Sequence, residues 1–190
     1  MTIEFTISNY LDAHTRLAKR LEIDDFQKGI DMIRDHYNRG TKILTCGNGG
    51  SATTASHYIT DWNKMVNLAT GRKFRGICLS DNVGLISAYG NDLSYEDVFA
   101  GQVDALMDEG DLLVAVSGSG NSPNVIKAIN AARNNKGNVL GVVGYDGGEM
   151  KPLCDHAVWV KSHDMQLCED VHLMFGQMVM KALCNSPIFD

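Results

Sequence analysis

Five short apolar runs constrain this fold more than any other feature. They are Ile43-Leu44-Thr45-Cys46, Gly76-Ile77-Cys78-Leu79, Leu112-Leu113-Val114-Ala115-Val116, Val139-Leu140-Gly141-Val142-Val143 and Ala157-Val158-Trp159-Val160. Each is continuous rather than alternating and rich in β-branched residues, as strands buried on both faces of a parallel sheet are. Helix-length stretches at 51–66, 83–90, 95–107 and 122–135 separate them, and an apolar helix is expected over 165–184. The repeating strand–helix–strand order predicts a five-stranded parallel sheet in a three-layer α/β domain.

Ahead of the sheet, residues 4–39 read as two helices. Leu11, Leu17, Ala18 and Leu21 recur at helical spacing, and Phe26, Ile30, Ile33 and Tyr37 do so again. Asp24 is the expected N-cap between them and Gly40 the expected stop. The chain therefore divides into a helical hairpin over 1–40 and an α/β core over 41–190. A length of 190 residues with 44% apolar content fits one domain with a sizeable core.

Charge and composition exclude several function classes. The formal net charge of -6 repels a phosphate backbone, so no nucleic-acid partner is expected. No apolar run approaches the ~20 residues of a membrane span. Met1-Thr2-Ile3-Glu4-Phe5 has no basic stretch before an apolar one, so a cytoplasmic protein is expected. Five scattered cysteines form no C-x-x-C pair and read as small buried apolar residues.

In a parallel α/β sheet, ligands sit beyond the C-terminal strand ends. That rule singles out three loops, following Cys46, Leu79 and Val116. The last, Ser117-Gly118-Ser119-Gly120-Asn121-Ser122, combines hydroxyls, glycines and an incoming helix N-terminus, which suits an anion. Ser122 reads as an N-cap with Pro123 at the first helical position. Gly47-Asn48-Gly49-Gly50-Ser51 is a second loop of the same kind. Neither loop is a Walker motif or a dinucleotide fingerprint, so the pair points to a phosphorylated small molecule and no nucleotide cofactor.

These two loops, with Asn91-Asp92 and Gly144-x-Asp146-Gly147-Gly148, resemble the sugar isomerase (SIS) domain family. Within it the chain is similar to the phosphoheptose isomerase branch, over nearly its whole length. The resemblance implies a flavodoxin-like three-layer sandwich, a homotetramer with active sites between subunits, and conversion of sedoheptulose 7-phosphate to D-glycero-D-manno-heptose 7-phosphate for bacterial surface polysaccharide. It implies phosphate binding by Ser117, Ser119 and Ser122, with Gly118 where the branch often has threonine. Asn48, Gly49, Gly50, Ser51, Asn91 and Asp92 would line the sugar.

Aldose–ketose isomerisation moves a proton between C1 and C2 through an enediol, so it needs a base and groups that polarise or protonate oxygens. The resemblance places the branch's catalytic and zinc positions on His57, Asp61, Glu169 and Gln177. From the residues themselves, His57 and Asp61 stand i and i+4 on one helix face. Asp61 keeps a carboxylate one methylene shorter than glutamate. Glu169 replaces an amide by a carboxylate, and Gln177 replaces a histidine with a group that does not titrate. Asp61, Glu169 and Gln177 are thus the expected catalytic residues, Glu169 being the second proton-transferring group. His57, Asp61 and Glu169, with Gln177 as a weak ligand, are the expected zinc set. Glu169 and His172 also make an E-x-x-H spacing, read here as a solvated or packed pair, and His163 lies in the loop near the site. His14 and His36 are expected at the surface. Some non-enzymatic relatives of this scaffold bind the bacterial replication initiator and also lack the histidine at Gln177, which leaves a non-catalytic phosphosugar-binding protein as the alternative.

Overall fold

The structure, a computed structural model, describes residues 4–189; Met1 to Ile3 of the expected hairpin and leader reading, and Asp190, lie outside the described residues. Helices α1 (Ile7–Ala18) and α2 (Ile23–Arg39) form the N-terminal hairpin. Thr6 accepts from the Asn9 N–H at 3.0 Å and caps α1. Asp24 is not the N-cap of α2: Glu22 holds that position without a side-chain bond, and Asp24 lies in the first turn. An acidic residue there still complements the helix dipole, which is why the signal sits two residues late. Gly40 ends α2 with φ 73°.

The rest of the chain runs through β1 (Ile43–Cys46), α3 (Gly50–Asp61), α4 (Asn67–Thr70), β2 (Gly76–Cys78), α5 (Val83–Asp92), α6 (Asp97–Leu106), β3 (Leu112–Ser117), α7 (Pro123–Asn134), β4 (Asn138–Val143), β5 (His156–Trp159) and α8 (Met165–Cys184). The strands form one parallel sheet in the order β2-β1-β3-β4-β5. The sheet is buried on both faces. Leu112, Val114 and Val116 of central β3 join a core with Ile33 of α2, Tyr58 of α3 and Phe175 of α8. Leu113 and Ala115 point the other way, toward Val103 of α6 and Ile129 of α7. This two-sided burial is the physical reason for the continuous apolar runs.

The strand order reverses between β1 and β3. Their outgoing loops diverge to opposite sides of the sheet and open a crevice at the strand C-termini. Both glycine–serine loops lie there.

The expected continuous helix over 51–66 is interrupted. After Asp61 the backbone widens into a π-helix over Trp62–Val66. The wider turn serves three long-range hydrogen bonds. Trp62 Nε1 donates to the Gly176 carbonyl of α8 at 3.0 Å, and the Asn63 amide pairs with both backbone groups of Gly76 in edge strand β2. π-Turns of this kind concentrate at functional sites.

Candidate active site

The serine loop connects β3 to α7. Ser117 Oγ accepts from the Gly120 N–H at 3.1 Å and Ser119 Oγ from the Asn121 N–H at 3.2 Å. A hydroxyl that accepts from the backbone still has its own proton to donate. Ser122 holds the N-cap position ahead of Pro123, but its side chain makes no cap bond; its hydroxyl lies 3.4 Å from that of Ser117. The expected side-chain cap is thus replaced by a pair of hydroxyls.

Gly120 has φ 69°, and a Cβ there would collide with the Gly147 carbonyl. The two loops are laced together: Gly144 N–H donates to Gly118 O at 3.0 Å, Met150 N–H to Gly120 O at 2.9 Å and Glu149 N–H to Asn121 Oδ1 at 2.9 Å. The Gly144–Gly148 motif therefore buttresses the serine loop from behind.

In front of that loop lies a cleft of about 130 Å³ lined by Asn48, Ser51, Ser117, Ser119, Ser122, Met165 and Glu169, among others. It is well below the ~300–1,000 Å³ that engulfs a drug-sized ligand. It suits one anionic group, with the rest of a ligand on its open side. No lysine or arginine lines it, so hydroxyls, backbone N–H groups and the start of α7 supply the attraction.

Two lining residues follow from close approaches. A Cβ on Gly50 would stand 2.5 Å from Glu169 Oε1, so glycine there admits the Glu169 carboxylate to the N-terminus of α3, where the helix dipole favours an anion. A Cβ on Gly118 would stand 2.8 Å from Met165 Sδ, so Met165 occupies the room a larger residue 118 would need.

Further along α3 and α8 a second cluster forms. His57 Nε2 lies 3.0 Å from Asp61 Oδ2, and Gln177 Nε2 lies 2.8 Å from that oxygen and 3.0 Å from His57 Nε2. Two side chains of α3 hold α8 in this register: Tyr58 Oη donates to the His172 carbonyl and Trp62 Nε1 to that of Gly176. Tyr58 and Trp62 are the chain neighbours of His57 and Asp61, so the docking bonds and the polar cluster share one helix face boundary.

The structure brings His57, Asp61 and Gln177 together but not Glu169. Glu169 is eight residues before Gln177, about 12 Å along the helix, and faces the serine-loop cleft. Among the described residues, no group of three His, Cys, Asp or Glu side chains is placed to hold a metal. His57 and Asp61 are two strong donors, and Gln177 turns its amide nitrogen toward them; its carbonyl oxygen, the weak ligand expected, would reach a metal there only with the amide turned over. As arranged here, the set is one strong donor short of the three protein ligands of a catalytic zinc site.

Other expected positions separate similarly. Asn91 and Asp92 are exposed, bond to each other at 2.9 Å and lie outside the cleft. Gly49 forms the N-cap of α3. His163 is exposed and stacks on Tyr145. His36 is buried, not at the surface, between Thr41 and Arg39. His172 is 1% exposed and neither ring nitrogen has a hydrogen-bond partner among the described residues, so it forms no ligand pair with Glu169. Asp170 accepts from Tyr10 of α1 at 2.6 Å, which pushes the Tyr10 phenol up to about 12. Met165 and Asn124 carry no sequence signal as site residues; Asn124 reads only as the first turn of α7.

The fold and site define a phosphosugar-type α/β domain, and the chain belongs to the SIS domain family, whose model matches residues 9–144. Curated proteins similar to it include phosphoheptose isomerases. The one from Aliarcobacter butzleri is 35% identical over 181 residues, covering 94% of this chain and 95% of its own length. The structure of phosphoheptose isomerase GmhA from Neisseria gonorrhoeae superposes with a TM-score of 0.86 at 27% identity, covering 93% of this chain and 96% of that one. That of a phosphoheptose isomerase from Francisella tularensis gives 0.85 at 25%, covering 94% and 96%.

Proposed function

We infer that the protein is an aldose–ketose isomerase that converts sedoheptulose 7-phosphate to D-glycero-D-manno-heptose 7-phosphate, working as one SIS domain with its N-terminal hairpin. The similarity to phosphoheptose isomerases supports the substrate. The observation that carries the chemistry is the His57–Asp61–Gln177 cluster set apart from a hydroxyl-lined anion cleft. A ketose 7-phosphate carries its phosphate at the far end from C1 and C2, so it needs such separate stations.

In this reading Ser117, Ser119 and Ser122 hold the phosphate. Asp61 takes the proton from C1 as the enediol forms, exchanges it with solvent and delivers a proton to C2, while the O1 hydroxyl proton passes to O2, leaving the carboxylate as it began. Gln177 steadies the Asp61 carboxylate as a donor. Glu169, at the cleft, accepts from sugar hydroxyls, and its distance from Gln177 argues for binding rather than the C1–C2 proton transfer. Zinc is kept as an addition to be tested rather than as part of the mechanism.

Two further parts of the reading concern assembly and place. No helix among the described residues is long and apolar enough to cross a membrane, and a cytoplasmic location accords with that. A groove between α1, α2 and α8, with Leu21, Ile23, Phe26, Ile30, Met174 and Met178, leaves apolar surface open, which supports association of copies; the homotetramer itself rests on the family resemblance.

The test is incubation with sedoheptulose 7-phosphate in D2O, metal-stripped and then with zinc, followed by NMR. Product with deuterium at C2 is the expected result. Binding without product or exchange in either condition would instead support a non-catalytic phosphosugar-binding protein, the reading that Gln177 favours.

A further inference from the structure

We propose that Tyr95 and Asn124 are positioning residues that fix the Asn48 side chain as a hydrogen-bond donor to the bound sugar phosphate. The proposal rests on the cleft being the substrate's anion-binding end, as read above.

Asn48 enters the cleft from the loop after β1 and faces the buried Asn124 of α7. Asn48 Nδ2 donates to Asn124 Oδ1 at 2.8 Å, and Asn124 Nδ2 donates back to Asn48 Oδ1 at 2.9 Å. A reciprocal amide pair is symmetric: both side chains could turn over together and keep both bonds. Tyr95 biases that symmetry. Its hydroxyl donates to Asn48 Oδ1 at 3.1 Å; in the turned-over pair it would have to accept from Nδ2 instead, and a phenol oxygen is a poorer acceptor than its O–H is a donor.

In that orientation, counting valences shows what Asn48 offers. Its oxygen has two acceptor sites and its nitrogen two N–H groups. Asn124 and Tyr95 occupy both acceptor sites, and Asn124 takes one N–H. One N–H donor remains. Phosphate and sugar oxygens accept, so a donor is the useful face; the turned-over pair would present an acceptor to them instead. A phenol hydroxyl that donates to the oxygen holds the useful state.

Tyr95 itself is 62% exposed, so burial does not explain its position. It lies three residues after Asp92, in the turn between α5 and α6. The Tyr95–Asn48 bond therefore ties that turn, with Asn91 and Asp92, to the cleft.

The test is a double-mutant cycle on the full chain, with Kd for sedoheptulose 7-phosphate and for inorganic phosphate measured by calorimetry. Tyr95→Phe, at an exposed site, is expected to weaken sugar phosphate binding two- to tenfold, with the loss falling on KM more than on kcat. In an Asn48→Ala background the same change should cost nothing further. Equal losses in both backgrounds would mean that Tyr95 touches the ligand itself, and no loss in either would mean that it does nothing; each overturns the proposal. In ligand-free protein, the Asn48 side-chain amide resonances should shift in Tyr95→Phe, and unmoved resonances also overturn it. Wild-type protein that binds the sugar phosphate but does not turn it over refutes the isomerase reading alone. Protein that binds neither ligand refutes both.

Discussion

Gln177 of α8 donates an amide N–H to the Asp61 carboxylate of α3 at 2.8 Å, bridging 116 positions of sequence. The amide does not titrate, so its contribution is to place and hold the carboxylate rather than to exchange a proton with substrate.

That division of labour sets the first prediction. Asp61→Asn should abolish deuterium incorporation at C2, a loss of at least ~10²-fold for removing a proton-transferring group, while inorganic phosphate still binds. Gln177→Leu should cost less, roughly 10- to 100-fold in kcat/KM, the scale of one hydrogen bond to a charged group. Equal losses from both variants would show that Gln177 does more than hold Asp61.

A second prediction concerns the metal. The cluster falls one strong donor short of a zinc site, since an amide occupies the third corner. Gln177→His would bring two imidazoles and a carboxylate together, a set that catalytic zinc uses. Dialysed Gln177→His protein should retain zinc, measured by atomic emission, where the parent does not. Stoichiometric zinc on the parent would overturn the donor argument.

The sheet was legible in the sequence because its cause is local. A strand buried on both sides must be apolar at successive residues, as Leu112 to Val116 are. The serine loop was legible for a similar reason, since its glycines and hydroxyls are contiguous. What escaped depends on partners distant in the chain. The π-turn at Trp62 exists because its indole meets Gly176. His36 looked like a surface residue until Thr41 folded against it. Glu169 and Gln177 share a helix, but helical rise puts them about 12 Å apart, and only α3 decides which one meets His57. Asn124 looked like a helix start until Asn48 arrived opposite.

Gly118 and Met165 give a third prediction, about the anion cleft. Gly118→Ala adds a methyl 2.8 Å from Met165 Sδ, the flexible end of a side chain, so Met165 should swing into the cleft with little loss of stability. Phosphate affinity is expected to fall severalfold while Tm changes by a few degrees at most. Adding Met165→Ala should restore most of the affinity. If Met165→Ala does not rescue, the loss arises from the loop backbone instead.

The last prediction is a pH dependence of stability. Burial lowers the His172 imidazole to about 4, against an ordinary 6.5. Burial, then the Arg39 charge, lowers His36 to about 4 as well. Both rings are neutral in the folded protein. Above pH 6.5 they are neutral when unfolded too, so they impose no acid penalty there. As pH falls from 6.5 toward 4 the unfolded chain binds protons that the folded chain does not, and stability drops by up to ~1.4 kcal/mol per pH unit for each group. His172 is the cleaner test because neither ring nitrogen has a hydrogen-bond partner among the described residues. His172→Leu removes a buried polar group without stranding another, so Tm at pH 7.5 should hold or rise. Its Tm should also fall less steeply than wild type between pH 6.5 and 4.5. An unchanged acid limb in His172→Leu would place the sensitivity elsewhere, with His36→Gln the next variant to measure.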